Sequence, residues 1–213
     1  KTIAPLLSFD ASGQIAKSQV YSTWKGIKYA RRYTIPSNPN TTAQQQVRTA
    51  FTWVHELFKY MGADITAAWT LYAKGQPFTG PNAFSQANIP ELNGASNITN
   101  LVVAKPVAGG PPPASLVLTP GSGQISATLT APTLPSGWSI TSATFFCIKD
   151  VAPTDEADAR TGVTQTDSSS PYTQVFTSLT ASQLYLVGAF FKYLRADGNV
   201  AYGGSINGTA TPT

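Results

Sequence analysis

The residues best suited to chemistry lie in two short stretches. In the first, Lys25, Lys28, Arg31 and Arg32 alternate with Trp24, Ile27, Tyr29 and Tyr33. Cations interleaved with aromatic rings can hold phosphates while bases stack on the rings. The same residues can anchor on an acidic protein surface, where Arg, Tyr and Trp are favoured contacts. A third reading is purely structural: a β-hairpin with a solvated basic face and aromatics in a core. Docking on a protein is preferred, because the surrounding region is small, irregular and basic. The predicted docking residues are Trp24, Lys25, Lys28, Tyr29, Arg31 and Arg32.

The second stretch is "DVAPTDEADAR", with Asp150, Asp155, Glu156 and Asp158. It lacks the spacing of a calcium-binding loop and reads as a solvated connection between strands. Little else suggests catalysis. His55 is the only histidine and Cys147 the only cysteine. One imidazole and one thiol cannot supply the three or four ligands of a zinc site. Cys147 sits in the apolar run "ATFFCIKD" and reads as a small core residue. No GxSxG elbow, phosphate-binding loop or dinucleotide fingerprint is present. The expectation is a chain that is not an enzyme, with no catalytic residue, cofactor or metal.

These stretches are positioned by 213 residues with only 11% charged side chains, well below the usual quarter or so. Such a surface, built from Ser, Thr, Asn and Gln, suits secreted, surface or virion β-proteins. The charge is uneven. Residues 1–100 carry nine cations against four anions, and residues 101–213 five against six. A basic half implies an acidic partner, protein or nucleic acid. No run approaches the ~20 apolar residues of a membrane span. The start at Lys1 implies trimming or processing.

Residues 1–18 show no sustained period and read as an arm, with Ile3, Leu6, Leu7 and Phe9 as its contacts. Residues 27–33 alternate as a strand, with Ile27, Tyr29, Arg31 and Tyr33 on one face. "PSNPN" ends that strand. A helix should begin at Thr41 or Thr42, with Thr42 and Gln45 as its capping box. Its apolar face runs from Val47 to Met61 at three- and four-residue spacing. Asp64 can cap a second helix over about 65–74, and Pro81 opens a third. "AKPVAGGPPP" reads as a linker, with Gly109-Gly110 as a swivel. About seven strands follow, consistent with a β-sandwich.

Two resemblances extend this reading. In "SLTASQLYLVGAFF", Tyr185 follows Leu179 by six residues and opens an alternating strand. This resembles the tyrosine corner of fibronectin type III domains, so 114–213 is expected to be an Ig-like sandwich. Trp138 departs from that family's pattern. The second resemblance spans residues 13–93 and rests on "GQIAKS", "WKGIKYARRY", "NPNTTAQQQVRTAF" and "FTGPNAF". The matching positions include Lys25, Gly26, Asn38, Pro39, Thr42, Arg48, Phe51, Trp69, Gly80, Phe84 and Asn88. The pattern resembles an N-terminal region of structural proteins from tailed bacteriophages and prophages. The whole layout is similar to phage capsid decoration proteins.

Together these give an α+β, two-domain expectation. Residues 1–95 form a virion-anchoring domain with arm, hairpin and helices; 96–113 are a Pro/Gly-rich linker; 114–213 are the sandwich. The resemblance implies a bacteriophage virion protein, first a head decoration or cement protein on the capsid surface. A tail, baseplate or fibre component is the alternative, and a carbohydrate-binding surface module the alternative of another class. Expected partners are the major capsid protein or another virion protein, further copies of the chain on the virion, and weakly a host-surface glycan. Nucleic acid is disfavoured and no membrane is involved.

Overall fold

Residues 143–148 and 185–191 are buried on both faces, and the fold follows from covering both. A computed structural model describes residues 13–15, 17–24, 27–35, 37 and 40–213. The chain divides at 40/41 into two compact units. The first contains a three-stranded antiparallel meander of β1 (Gly13–Ile15), β2 (Gln19–Trp24) and β3 (Ile27–Arg32).

The second unit is α+β. It begins with α1 (Thr42–Tyr60), α2 (Ala63–Ala73) and α3 (Gly80–Leu92). The strands β4 (Ser115–Gly121), β5 (Gln124–Thr130) and β6 (Ser139–Lys149) follow. A single-turn α4 (Glu156–Ala159) precedes β7 (Val163–Asp167) and β8 (Tyr172–Phe176). The chain closes with β9 (Tyr185–Leu194), β10 (Val200–Tyr202) and β11 (Ile206–Ala210). One sheet has the order β10-β9-β6-β7, with β11 also on β9; the other is β4-β5-β8. All pairings are antiparallel.

The central pair explains the layers. Phe145 lies opposite Ala189 and Cys147 opposite Val187. These face the second sheet, in a core with Ile125, Leu129, Phe176, Phe191 and Tyr193. Phe146 opposes Gly188 and Ile148 opposes Leu186, one residue out of phase. These turn the other way, into a core with Trp53, Leu57, Ile65, Trp69 and Phe84 of the helices. The β6-β9 sheet is thus covered by a sheet on one face and by helices on the other. Removing each such Phe, Leu or Ile from water contributes about 1.5–3 kcal/mol.

This corrects the expected boundaries. The helices do not belong with 1–40 in a separate domain 1–95, and 96–113 is not a free linker. Ile98, Leu101, Val103 and Ala104 are buried between the helices and the sheet. Gly109-Gly110 is not a swivel. A side chain at Gly110 would collide with the backbone carbonyl of Tyr202, and Val107 exchanges backbone hydrogen bonds with Tyr202. Glycine is there because two backbones meet.

The buried strip needs partners for its polar backbone, and side chains supply them. The Asn88 Oδ1 accepts from the Val102 N–H at 2.7 Å, and its Nδ2 donates to the Val102 and Phe84 carbonyls at 3.2 and 3.1 Å. The Trp69 indole donates to the Val103 carbonyl at 2.8 Å. From the sheet side, the Asn207 Nδ2 donates to the Leu101 carbonyl at 2.6 Å, and the Ser205 N–H donates to that of Ala104 at 2.9 Å. The Asp150 carboxylate accepts from the Ile98 N–H at 2.7 Å and the Thr99 hydroxyl at 3.1 Å. Gly188 leaves room for the strip, because a Cβ there would meet Val103 and Asn207.

Several local expectations shift. The capping box is Thr41 with Gln44, one residue earlier than Thr42 with Gln45. Gly62 precedes α2, and Asp64 in its first turn pairs with Lys192 of β9 at 3.2 Å instead of capping. The acidic stretch at 150–160 is not merely a solvated loop. Asp150 is buried, Asp155 caps α4, and Arg160 meets Glu56 of α1 at 2.9 Å. Lys59 also meets Glu56, at 2.8 Å, and that hydrogen bond, with the two cations, holds the Glu56 carboxyl below its ordinary range. The last expected strand is divided at 203–205 into β10 and β11, so eight strands replace seven.

Two outcomes test this architecture. Asn88→Ala leaves the half-buried Val102 amide without its side-chain partner and should cost about 1–3 kcal/mol. Urea unfolding should show the midpoint falling with an unchanged slope. A fragment of 114–213 should expose Phe146, Ile148, Leu186 and Phe190. It should bind a hydrophobic dye and aggregate where 41–213 stays folded and monomeric; a soluble, cooperatively unfolding 114–213 would contradict the shared core.

Candidate functional site

The basic stretch forms β3 and the end of β2. Its register places Arg32 opposite Gln19, Arg31 opposite Val20, Tyr29 opposite Ser22 and Lys28 opposite Thr23. The Tyr33 N–H donates to the Ser18 carbonyl at 2.8 Å and closes the far end. Opposed residues share a face. Ile27, Tyr29 and Arg31 therefore stand with Ser22 and Val20 on one side. Lys28, Ala30 and Arg32 stand with Thr23, Tyr21 and Gln19 on the other. Both faces carry cations. The expected alternation holds over 27–32, where β3 ends, and Tyr33 lies just beyond it.

Every residue of β3 is exposed. Ile27 is 67% exposed and Tyr29 39%. From 13 to 40, no residue whose exposure is described is buried. The hairpin reading with aromatics in a core is thus overturned for Tyr29: its ring faces solvent. Three strands ordinarily need a hydrophobic face packed on something to be stable. Here Ile27 and Tyr29 stay exposed on the strand that carries the cations. Arg31 and Arg32 also border a polar hollow with Ser18 and Gln19.

The sequence around this meander sharpens its charge. From residue 11 to residue 55 there is no acid, while Lys17, Lys25, Lys28, Arg31, Arg32 and Arg48 fall within it. A field of one sign favours an anionic surface and repels its own copies.

Of the expected docking residues, the structure brings Lys28, Tyr29, Arg31 and Arg32 together on β3, and Trp24 ends β2 opposite Ile27. Lys25 lies outside the described residues, as do the arm contacts Ile3, Leu6, Leu7 and Phe9. The other reactive groups are elsewhere. His55 is exposed on α1 and stacks on Phe51, with centroids 6.3 Å apart. Cys147 is buried, and burial pushes its thiol up to about 12. It remains a neutral thiol at physiological pH. Burial likewise raises Tyr193, whose hydroxyl donates to the Pro111 carbonyl at 2.8 Å. Among the described residues, no group of three His, Cys, Asp or Glu could hold a metal ion. No described helix is long and apolar enough to cross a membrane.

Sequence reasoning missed Asn88 as a structural clamp. The signal was available: Phe84, Asn88 and Leu92 recur at four-residue spacing, and all three are buried. An amide in an apolar row implies backbone partners.

No protein-family model matches the chain, and no curated protein matches it. Solved structures do match part of it. One is described as a computer-based redesign of a beta sandwich protein, 20% identical, covering 47% of this chain and 88% of its own, with a TM-score of 0.35. Another is described as a myokine structure, 10% identical, covering 49% of this chain and 99% of its own, with a TM-score of 0.36.

Brief trypsin treatment should cut after Lys28, Arg31 and Arg32, because exposed, unburied strands open readily. Mass spectrometry should then show a resistant fragment containing 41–213. Cleavage first within 149–195 would contradict this order of stability.

Proposed function

We propose that the chain is a structural protein of a bacteriophage virion, a head decoration or cement protein that docks through its basic meander. The observation that carries this reading is the fully exposed β3. It carries Arg31 beside Ile27 and Tyr29 on one face and Lys28 with Arg32 on the other, in a stretch without acids. Such a surface suits an acidic protein partner, with aromatic and Arg anchors supplying the contact. The phage resemblance over 13–93 supports it. Its positions Gly80, Phe84 and Asn88 lie in α3 and are buried. Anchoring is assigned to the meander instead of to 1–95, and the body displayed is 41–213 as one piece.

The finer reading of the sandwich as Ig-like, of fibronectin type III kind, rests on Tyr185. Its hydroxyl accepts from the Thr180 N–H at 3.0 Å as the chain turns into β9, which is the role of a tyrosine corner. A location in the tail, baseplate or fibre would use the same meander. The carbohydrate-binding reading has less support, since no described aromatic side chain of 114–213 is exposed. This proposal assigns the chain no enzymatic role. On a capsid lattice, weak single contacts would sum to firm attachment.

The test uses the full chain and empty phage heads in a sedimentation assay. Wild type should co-sediment with heads. The variant with Lys25, Lys28, Arg31 and Arg32 all replaced by Ser should not, while its thermal unfolding stays unchanged. Undiminished binding by the variant would overturn the basic-meander assignment. Binding of wild type to purified tails but not to heads would move the assignment to the tail.

A further inference from the structure

α2 carries one charged residue in eleven, Asp64, and that residue is engaged with Lys192. A helix lying on a sheet normally shows charges to solvent on its outer face. The inner face of α2 is conventional: Ile65, Ala68, Trp69 and Ala73 are buried. The outer face is not. Ala63, Ala67 and Thr70 are exposed and uncharged.

This small-residue face is the floor of a groove of about 840 Å³. Phe78 and Pro81 form one wall as the chain enters α3, and Val200 and Tyr202 of β10 form the other. Val200 is 38% exposed, a β-branched side chain left facing the groove. Lys74 and Lys192 also line it, and no carboxylate does. Asp64 lies near enough to pair with Lys192, but among the described residues no acid lies within ion-pair distance of Lys74. The groove is therefore mainly apolar along its floor and walls, with Thr66, Thr70 and Thr79 among the lining, and cationic at its margin.

We propose that this groove binds an extended acidic segment of a partner protein. An aromatic or branched side chain of that segment lies over Ala67, between Phe78 and Val200. A neighbouring carboxylate meets Lys74. Small floor residues let a partner backbone come close, and the open groove suits a chain lying across it more than an enclosed small molecule. The sign of the margin selects acids over bases. The groove belongs wholly to the 41–213 unit, so this inference stands apart from the meander and its test.

The experiment is a titration of the full ¹⁵N-labelled protein with a blocked pentapeptide, Asp-Leu-Phe-Leu-Glu, monitored by amide shifts. Saturable shifts confined to Ala63, Ala67, Thr70 and Lys74 are expected. The counterpart Lys-Leu-Phe-Leu-Lys should bind at least about fivefold more weakly, and Lys74→Glu should weaken the acidic peptide by a similar factor. The rest of the Lys74→Glu spectrum, unchanged, shows that the variant is folded. Equal binding of both peptides, or shifts only outside the groove, would overturn the proposal. So would concentration-dependent shifts at Ala67 without peptide, which would assign the groove to a second copy.

Discussion

A pair of strands without a polar face governs this molecule. β6 and β9 present Phe, Ile, Leu and Val to both sides, so neither side can meet water. A two-sheet sandwich satisfies one side only. The second must be covered by something else, and three helices do it. Their own apolar rows, with Trp53, Trp69 and Phe84 fully buried, find no other cover. Each layer is therefore a condition for the other. The ordinary separation of an antiparallel sheet into a dry face and a wet face does not apply here.

Joining helices to a sheet raises a polar problem that apolar packing cannot solve. The strip around residues 98–107 crosses between them without joining a regular ladder, yet Ile98, Leu101, Val103 and Ala104 in it are buried, and their N–H and C=O groups need partners. Amide side chains from both flanks complete the bonding, Asn88 from α3 and Asn207 from β11. Asp150 fixes the strip's beginning, and the Val107–Tyr202 bridge fixes its end. These bonds act between layers and so determine how the helices sit on the sheet. Hydrophobic burial alone is non-directional and would tolerate several placements.

Local features were legible in the sequence, and nonlocal ones less so. The span of α1, the proline at the start of α3 and the strands around Asp197-Gly198 depend on neighbouring residues, and they appear where expected, but the apolar face of α1 is shifted: Val47 and Phe51 are exposed, and Trp53 and Leu57 are buried with Ala50 and Val54. The capping box slipped by one because Thr41 and Thr42 are adjacent, as are Gln44 and Gln45, and the spacing fits both pairs. The domain boundary failed for a deeper reason. Gly and Pro are enriched both in free linkers and where two backbones pack tightly, and composition does not separate the cases. A better clue was the absence of alternation in "ATFFCIK" and "YLVGAFF": a strand with one wet face would alternate. The candidate site was half legible. Alternation gave the two faces of β3, but the exposure of Tyr29 depends on what surrounds it.

The position of β9 along the chain bears on how the protein is made. α1 to α3 emerge from the ribosome before the sheets they pack on, yet the surface that covers Trp69 and Phe84 includes residues of β9, at 185–194. The second sheet packs against the same strand from the other side. Neither layer can be sealed until residue 194 is available. The helices must wait through more than a hundred residues of synthesis with their aromatic rows uncovered. A chain of this plan cannot secure its N-terminal half first, and its vulnerable interval is the synthesis of its own sheet.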